Sequence, residues 1–301
     1  MKNELEKILR SAIGERVKIS RMSPVSGGCI AEAQHIVLSD GQQLFVKSVP
    51  QSNLPLSALE AEAFGLRAIA QTNTLSVPEV IVCGKADERE FLVLEWIEQG
   101  PQPRNFFSEL GTGLARLHQS DSTDHADVRF GWKQDNFLGS SLQPNQPAMD
   151  WCQFFAEHRL GYQIQLALEK QSGTPELYNQ VSWICEHLHE LVGDIPIESS
   201  LLHGDLWNGN FMCSKVGTPV IFDPAVYRGD READLAMPLI FGGFSAEFWK
   251  AYEEVWPLEP GFEERVELYK LYHYLNHLNL FGPGYLGDCL RISRRFAPPA
   301  N

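Results

Sequence analysis

Residues 4 to 13 place Leu5, Ile8, Leu9 and Ala12 at helical spacing, so the chain is expected to open with a short amphipathic helix. The period then changes. From Ser23 to Val49 apolar runs are punctuated by Ser26-Gly27-Gly28 and by Ser39-Asp40-Gly41, which reads as three strands joined by two turns and ending in Leu44-Phe45-Val46-Lys47. This is a β-meander and not a βαβ unit. An Ala-, Glu- and Leu-rich segment from Leu56 to Ala70 predicts a helix ended by Gln71-Thr72-Asn73-Thr74. Val80-Ile81-Val82 and the run Phe91 to Ile97 predict two further strands, parted by the charged turn Lys85 to Glu90.

Gly100-Pro101 and Pro103 break the regularity, and almost everything after them reads helical. The shift at residues 97 to 103 sets the expected boundary between an N-terminal lobe, 1–97, and a C-terminal lobe, 98–301. Helical periodicity covers residues 105 to 119, 150 to 170, 175 to 192, 245 to 255 and 263 to 281. Two stretches interrupt it. Asp121 to Pro147 is polar and rich in Gly and Pro, about 27 residues without clear structure, and is expected to be a functional or excursion loop. Leu201 to Pro224 carries short apolar runs, Leu201-Leu202 and Val220-Ile221-Phe222, around His203 to Asn210. No internal repeat or low-complexity tract stands out.

Composition narrows the function classes. The 301 residues are 44% hydrophobic and 21% charged, ordinary for a globular chain. A net charge of −14 argues against a broad electrostatic grip on nucleic acid or anionic lipid, so any phosphate must be held locally. The first residues lack a secretory apolar core, and no apolar run is long enough to span a membrane, so a soluble, cytoplasmic protein is expected. Cys29, Cys83, Cys152, Cys185, Cys213 and Cys289 are scattered without CxxC pairs, which suits a reducing compartment.

The densest chemical signal is His203-Gly204-Asp205-Leu206-Trp207-Asn208-Gly209-Asn210 followed by Asp223-Pro224. Asp205 falls on a loop between apolar runs, where a carboxylate can accept a hydroxyl proton, while Asn210 offers an amide oxygen to a metal. Asp223, directly after Val220-Ile221-Phe222, is placed to hold magnesium against nucleotide phosphates. Singly these are ordinary turn residues, and His203 reads better as a packing residue than as a catalytic imidazole. Together they match the spacing of protein-kinase-like phosphotransferases.

Such a site also needs a phosphate-binding lysine on a strand and a helical carboxylate to orient it. Lys47 ends its apolar run, and Glu60 and Glu62 lie on the following helix. Glu95, Trp96 and Ile97 fall where an adenine-contacting hinge is expected, and Gly27 and Gly28 allow backbone amides close to phosphates. Cys29 in that turn is a candidate for oxidation, giving a monomer or a redox-linked homodimer. His273 and His277 have the i, i+4 spacing of a zinc-protease helix, but Tyr274 stands where its glutamate belongs.

With these residues assembled, the sequence resembles the fructosamine-kinase or ketosamine-3-kinase family, within the aminoglycoside-phosphotransferase and choline-kinase-like group. The resemblance runs through SGGCIAEA (26 to 33), LFVK (44 to 47), LEAEAFGLRAI (59 to 69), FGWKQDNFLGSSLQPN (130 to 145), DWCQFFAEHRL (150 to 160), LLHGDLWNGN (201 to 210), FDPAVYRGDREADLAM (222 to 237) and LYHYLNHLNLFGPGY (271 to 285). It implies a bilobal α+β protein-kinase-like fold, with an N-terminal antiparallel sheet and one main helix and a mostly helical C-terminal lobe. It further implies ATP and magnesium, and transfer of the γ-phosphoryl group to a sugar hydroxyl of a small or protein-bound ketosamine. Asp205 would be the base, Asn210 and Asp223 the metal ligands, and Lys47 the phosphate-binding lysine. The family's E-x-x-x-L spacing favours Glu62, four before Leu66, over Glu60 as its partner. Trp132 to Asn136, Trp207, Asp230 and Glu232 are expected on the substrate side. The competing readings are a kinase of the same fold for an aminoglycoside, choline-like amine or free sugar, and a catalytically idle nucleotide-binding module; the complete set Asp205, Asn210 and Asp223 argues against the latter.

Overall fold

The structure, a computed structural model, describes residues 1–25, 31–51, 57–120 and 129–298. The chain divides into two compact units, Met1–Phe106 with Asn210–Pro224, and Phe107–Gly209 with Ala225–Asn301.

The first unit is built on an antiparallel sheet of β1 (Ile19–Pro24), β2 (Glu32–Leu38), β3 (Gln43–Pro50), β4 (Val80–Ala86) and β5 (Arg89–Glu95) in the order β1-β2-β3-β5-β4. Helices α1 (Lys2–Ile13) and α2 (Ala58–Thr72) complete it. Side chains alternate across a strand, so each sheet face has its own core. Leu44, Val46, Phe91 and Val93 pack with Leu5, Ile8 and Leu9 of α1. Leu92 and Leu94 pack with Leu59, Ala63 and Leu66 of α2, with Phe45 and Val49 partly buried against them. β5 is apolar at consecutive positions because both of its faces are covered.

Helix α2 starts where a capping box starts it: Ser57 Oγ accepts from Glu60 N at 3.1 Å, and Glu60 Oε2 accepts from Ser57 N at 3.1 Å. Such a cap contributes about 1 kcal/mol. Glu60 therefore serves the helix end. The same unit includes a two-stranded ribbon, Phe211–Cys213 against Pro219–Ile221, with Val220 also bridged to Ser76.

The second unit is mostly helical: α3 (Phe106–Gln119, of which Phe106 belongs to the first unit), α4 (Trp151–Phe155), α5 (Tyr162–Glu169), α6 (Pro175–Glu186), α7 (Leu188–Val192), α8 (Arg231–Asp234), α9 (Ala236–Phe241), α10 (Ala246–Val255), α11 (Phe262–Phe281) and α12 (Leu286–Phe296). Helix α11 is its spine. Leu268, Tyr269, Leu271, Leu275 and Leu278 are inaccessible, so it is enclosed on most sides, with α5, α8, α9 and α12 packed on it.

Several local features depart from the periodicity reading. Within the stretch expected to be a long loop, Asn136–Leu138 pairs with Ser141–Gln143 as a short hairpin. The helix expected over 150 to 170 widens into a π turn at Ala156–Gly161. Gly161 permits it, because a Cβ there would stand 2.6 Å from the Ala156 carbonyl oxygen. Helix α12 escaped the pattern because its buried stripe is Cys289, Ile292 and Ser293, only one of them strongly apolar. Among the described residues no helix is long and apolar enough to cross a membrane.

Candidate active site

The pleat of β3 decides where Lys47 goes. Leu44, Val46 and Ser48 are buried on one face, so Phe45, Lys47 and Val49 share the other, which α2 covers. On α2, Glu62 lies three residues after Leu59 and four before Leu66, on the same inward stripe. The two side chains meet there: Lys47 Nζ donates to Glu62 Oε1 at 2.9 Å and Oε2 at 3.0 Å. It also donates to Asp223 Oδ1. Lys47 and Glu62 side chains are each 12% exposed, and Asp223 is 41% exposed, so Asp223 is the solvent-facing member.

Burial alone would lower the Lys47 ammonium, but the charges of Glu62 and Asp223 and their hydrogen bonds raise it above its ordinary value, so it stays protonated. Burial pushes Glu62 up to about 7 against the pull of Lys47, with the Asp223 charge adding to the rise. One ammonium thus stands between two acidic side chains, and Asp223 is the one open to solvent.

The thirteen-residue separation of Asn210 and Asp223 is the length of a hairpin. Phe211 pairs with Ile221, Met212 with Val220 and Cys213 with Pro219, and the next step brings Phe222 N to the Asn210 carbonyl oxygen at 3.0 Å. Ser214 N donates to Thr218 O at 2.9 Å, and Gly217 takes φ +91° to close the turn. The two metal-type oxygen donors therefore sit at neighbouring ends of one ribbon. Asp223 adopts φ +57°, a left-handed conformation that Asp tolerates and that redirects the chain after the strand.

In the second unit, His203 to Gly209 is a loop after the strand Ser200–Leu202, which pairs with Tyr227–Gly229. His203 is fully buried, and its Nδ1 accepts from Asp205 N at 3.2 Å, so the imidazole packs and braces the loop. Asp234 grips the same loop from α8. Its Oδ2 accepts from His203 N and its Oδ1 from Gly204 N, each at 2.7 Å. His118 Nε2 reaches Asp234 Oδ2 at 3.1 Å, while its Nδ1 meets Tyr252 Oη at 2.8 Å. Burial would raise the Asp234 carboxyl, but the hydrogen bond and charge of His118 and the loop amide hold it below the ordinary carboxylate value. Sequence reasoning missed Asp234, His118 and Tyr252. The available signal was an acid inside the apolar run Ala233 to Met237, a buried charge that must have partners.

Gly204 makes the loop's tightest approach. It has φ +82°, and a Cβ there would fall 2.1 Å from Ala225 O, whose residue's N–H donates to His203 O at 2.8 Å. Gly204→Ala is expected to cost about 1–3 kcal/mol for the backbone conformation alone, with the clash added. A urea midpoint equal to that of the unsubstituted protein would show that the loop yields freely.

The remaining candidates have these positions. Glu95 closes β5, its N–H donating to Glu79 O at 2.9 Å, and Trp96 stacks on His35 with ring centroids 3.9 Å apart. Ile97 is half-buried, and the following residues are tied to the ribbon by Gly100 N donating to Cys213 O at 3.0 Å. Ser26 to Cys29, and with them the glycine turn and the cross-link expected at Cys29, lie outside the described residues.

On the expected substrate side, Trp207 is half-buried and Trp132 is 6% exposed. Asn136 is buried: its Nδ2 donates to Val226 O at 2.7 Å, and its Oδ1 accepts from Gln143 and Asn145 at 2.7 and 2.8 Å. Asp230 accepts from Glu232 N and from Tyr269 Oη. Glu232 takes both arms of Arg265 at 2.7 and 2.8 Å. These three side chains are buried against partners that tie together the hairpin, α8 and α11.

Comparison with known proteins agrees in one direction. The sequence model of the fructosamine kinase family matches residues 1–296. A probable ketoamine kinase of Synechocystis is 42% identical over 286 residues, 93% of each chain. A chloroplastic protein-ribulosamine 3-kinase of Oryza sativa is 40% identical over 93% of this chain and 79% of its own. The crystal structure of a fructosamine-3-kinase of Haemophilus somnus, so described as putative, superposes with a TM-score of 0.86 at 29% identity, covering 98% of this chain and 97% of that one.

Proposed function

The chain belongs to the fructosamine kinase family, and from that premise we propose that it transfers the γ-phosphoryl group of ATP to a sugar hydroxyl of a ketosamine, a glycated amine of the fructosamine or ribulosamine type. The observation that supports this most directly is the cluster of Lys47, Glu62 and Asp223, an ammonium fixed by one buried and one solvent-facing carboxylate. In this reading Lys47 binds nucleotide phosphate and Glu62 keeps the ammonium aimed. In the same reading the backbone of Glu95, Trp96 and Ile97 contacts adenine.

Asp223 and Asn210 are hard oxygen donors at adjoining ribbon ends, a donor set that fits magnesium and would hold it. When bound, such an ion neutralises charge on the β- and γ-phosphates. Asp205 accepts the proton of the attacking hydroxyl, on a loop whose backbone Asp234 and His203 fix before substrate arrives. The rate gain then comes from positioning and charge neutralisation. Cys83, Cys152, Cys185 and Cys289 are free, and burial pushes each thiol up to about 12, which fits a reducing, cytoplasmic setting.

ATP consumption with a ketosamine of lysine, with free sugars and with aminoglycosides, each with and without magnesium, tests the proposal. Turnover is expected on the ketosamine and only with the metal. Turnover confined to an aminoglycoside, or ATP binding without turnover on any acceptor, overturns it. Lys47→Ala is expected to lower kcat/KM for ATP by about two decades, because a preorganised charge donor is removed from the phosphates. Unchanged ATP kinetics in that variant would remove Lys47 from the site.

A further inference from the structure

Beside the catalytic loop runs an arc of aromatic rings that the phosphoryl-transfer chemistry does not use. Trp207, two residues after Asp205, meets Phe241 edge-on with centroids 5.8 Å apart. Phe241 stands 5.1 Å from His277, which in turn lies 5.1 Å from Tyr285 and 5.4 Å from Phe281. Phe241 is 37% exposed and Phe281 59%. Partly exposed rings in mutual contact beside a reaction centre mark a binding surface more than a core.

The arc is built onto the loop and does not merely lie near it. The Trp207 ring lies over Gly209, where a Cβ would come 2.4 Å from it, so glycine is required for that placement. After Phe241, the turn at Gly243 packs on Asn208 so closely that a Cβ would stand 2.7 Å from the Asn208 Cβ. His277 Nδ1 lies 2.8 Å from His273 O, to which it donates, leaving Nε2 as the acceptor of a neutral ring. Burial lowers its pKa, so it stays uncharged near neutrality and does not repel a cation.

We propose that the arc of Trp207, Phe241, His277, Tyr285 and Phe281 docks the lysine stem and flanking peptide of a polypeptide-borne ketosamine, the part of the substrate that does not react. Two observations select this occupant. The arc starts at Trp207, two residues after Asp205, and continues through successive ring contacts of 5.8, 5.1 and 5.4 Å to Phe281, whereas a lysine stem spans only about 6 Å, so most of the arc is left for the flanking peptide. The chain also carries net charge −14, and ring faces attract cations, which complements a protonated secondary amine in a lysine-rich polypeptide.

The inference rests on the ketosamine-kinase reading, and the experiment separates the two. Kinetics are measured for one ketosamine of lysine, free and within a ten-residue peptide, on the unsubstituted protein, on Phe241→Ala and Phe281→Ala, and on Leu168→Ala as an exposed apolar control outside the arc (52% exposed). Each ring removed is expected to raise KM for the peptide roughly three- to tenfold more than KM for the free compound, with kcat for the peptide nearly constant. Leu168→Ala should leave the ratio alone. Calorimetric titration of the same peptide into Phe281→Ala without ATP reads the loss of affinity independently of turnover. No turnover of either substrate by the unsubstituted protein overturns the functional reading. Turnover of both, with the ratio unchanged in Phe241→Ala and Phe281→Ala, leaves that reading standing and overturns the docking surface.

Discussion

Asp205→Ala is expected to lower turnover by roughly two or more decades while ATP still binds, because under the proposed mechanism the substitution removes the acceptor of the hydroxyl proton and leaves the Lys47, Glu62 and Asp223 cluster whole. Lys47, Glu62 and Asp223 hold one another without Asp205. The loop backbone keeps its other anchors in the variant. Its backbone is fixed by Asp234 at His203 N and Gly204 N, and the Asp205 N–H that meets His203 Nδ1 remains in alanine. The loss should therefore appear in kcat, with the KM for ATP and the thermal midpoint nearly unmoved. Asp205→Asn keeps the shape and loses the basicity, so it should fall as far as the alanine variant. Normal turnover in either purified protein removes Asp205 as the base.

That Lys47 and Glu62 meet follows from two short-range periods. A strand alternating every residue turns Lys47 toward α2, and a helix repeating every three to four residues sets Glu62 on the stripe of Leu59 and Leu66. The Asn210 to Asp223 spacing was equally legible once read as a hairpin, since its turn is local. That Asn210 to Pro224 groups with the first 106 residues was not, because the bridge between Ser76 and Val220 joins positions far apart in the chain. The same limit hid the partners of Asp230 and Glu232. A charged residue in a sequence reads as outward-facing, and their partners Tyr269 and Arg265, 39 and 33 residues away, become visible only with α11 packed on α8. The π turn left no periodic trace, because one extra residue shifts the phase of a helix without changing its composition.

Asp234→Ala is expected to be the most damaging single change outside the reacting groups. Asp234 is 2% exposed and accepts from three donors, two of them backbone amides of the catalytic loop. Alanine leaves those amides and His118 without their acceptor in a buried setting, at about 1–3 kcal/mol for each group stranded, or on the order of 3–5 kcal/mol together. The thermal midpoint should drop by on the order of 10 °C. At 25 °C, where the variant remains folded, kcat should fall as well, because the loop carrying Asp205 is no longer held. Asp234→Asn retains one acceptor oxygen but turns an NH2 group toward a donor, so it should lie between the two. Acid has the same target. The folded carboxyl lies below its ordinary value near 3.8, so its contribution is fully present above that value and is lost as pH falls through the lower folded one. The stability gap between the unsubstituted protein and Asp234→Ala, measured by urea unfolding, should be constant from pH 5 to pH 7, a range set by the ordinary carboxylate value of about 4, and should shrink only below it. A gap that closes on raising the pH instead, or an alanine variant that melts and turns over normally, means that the loop is held by something other than this carboxylate.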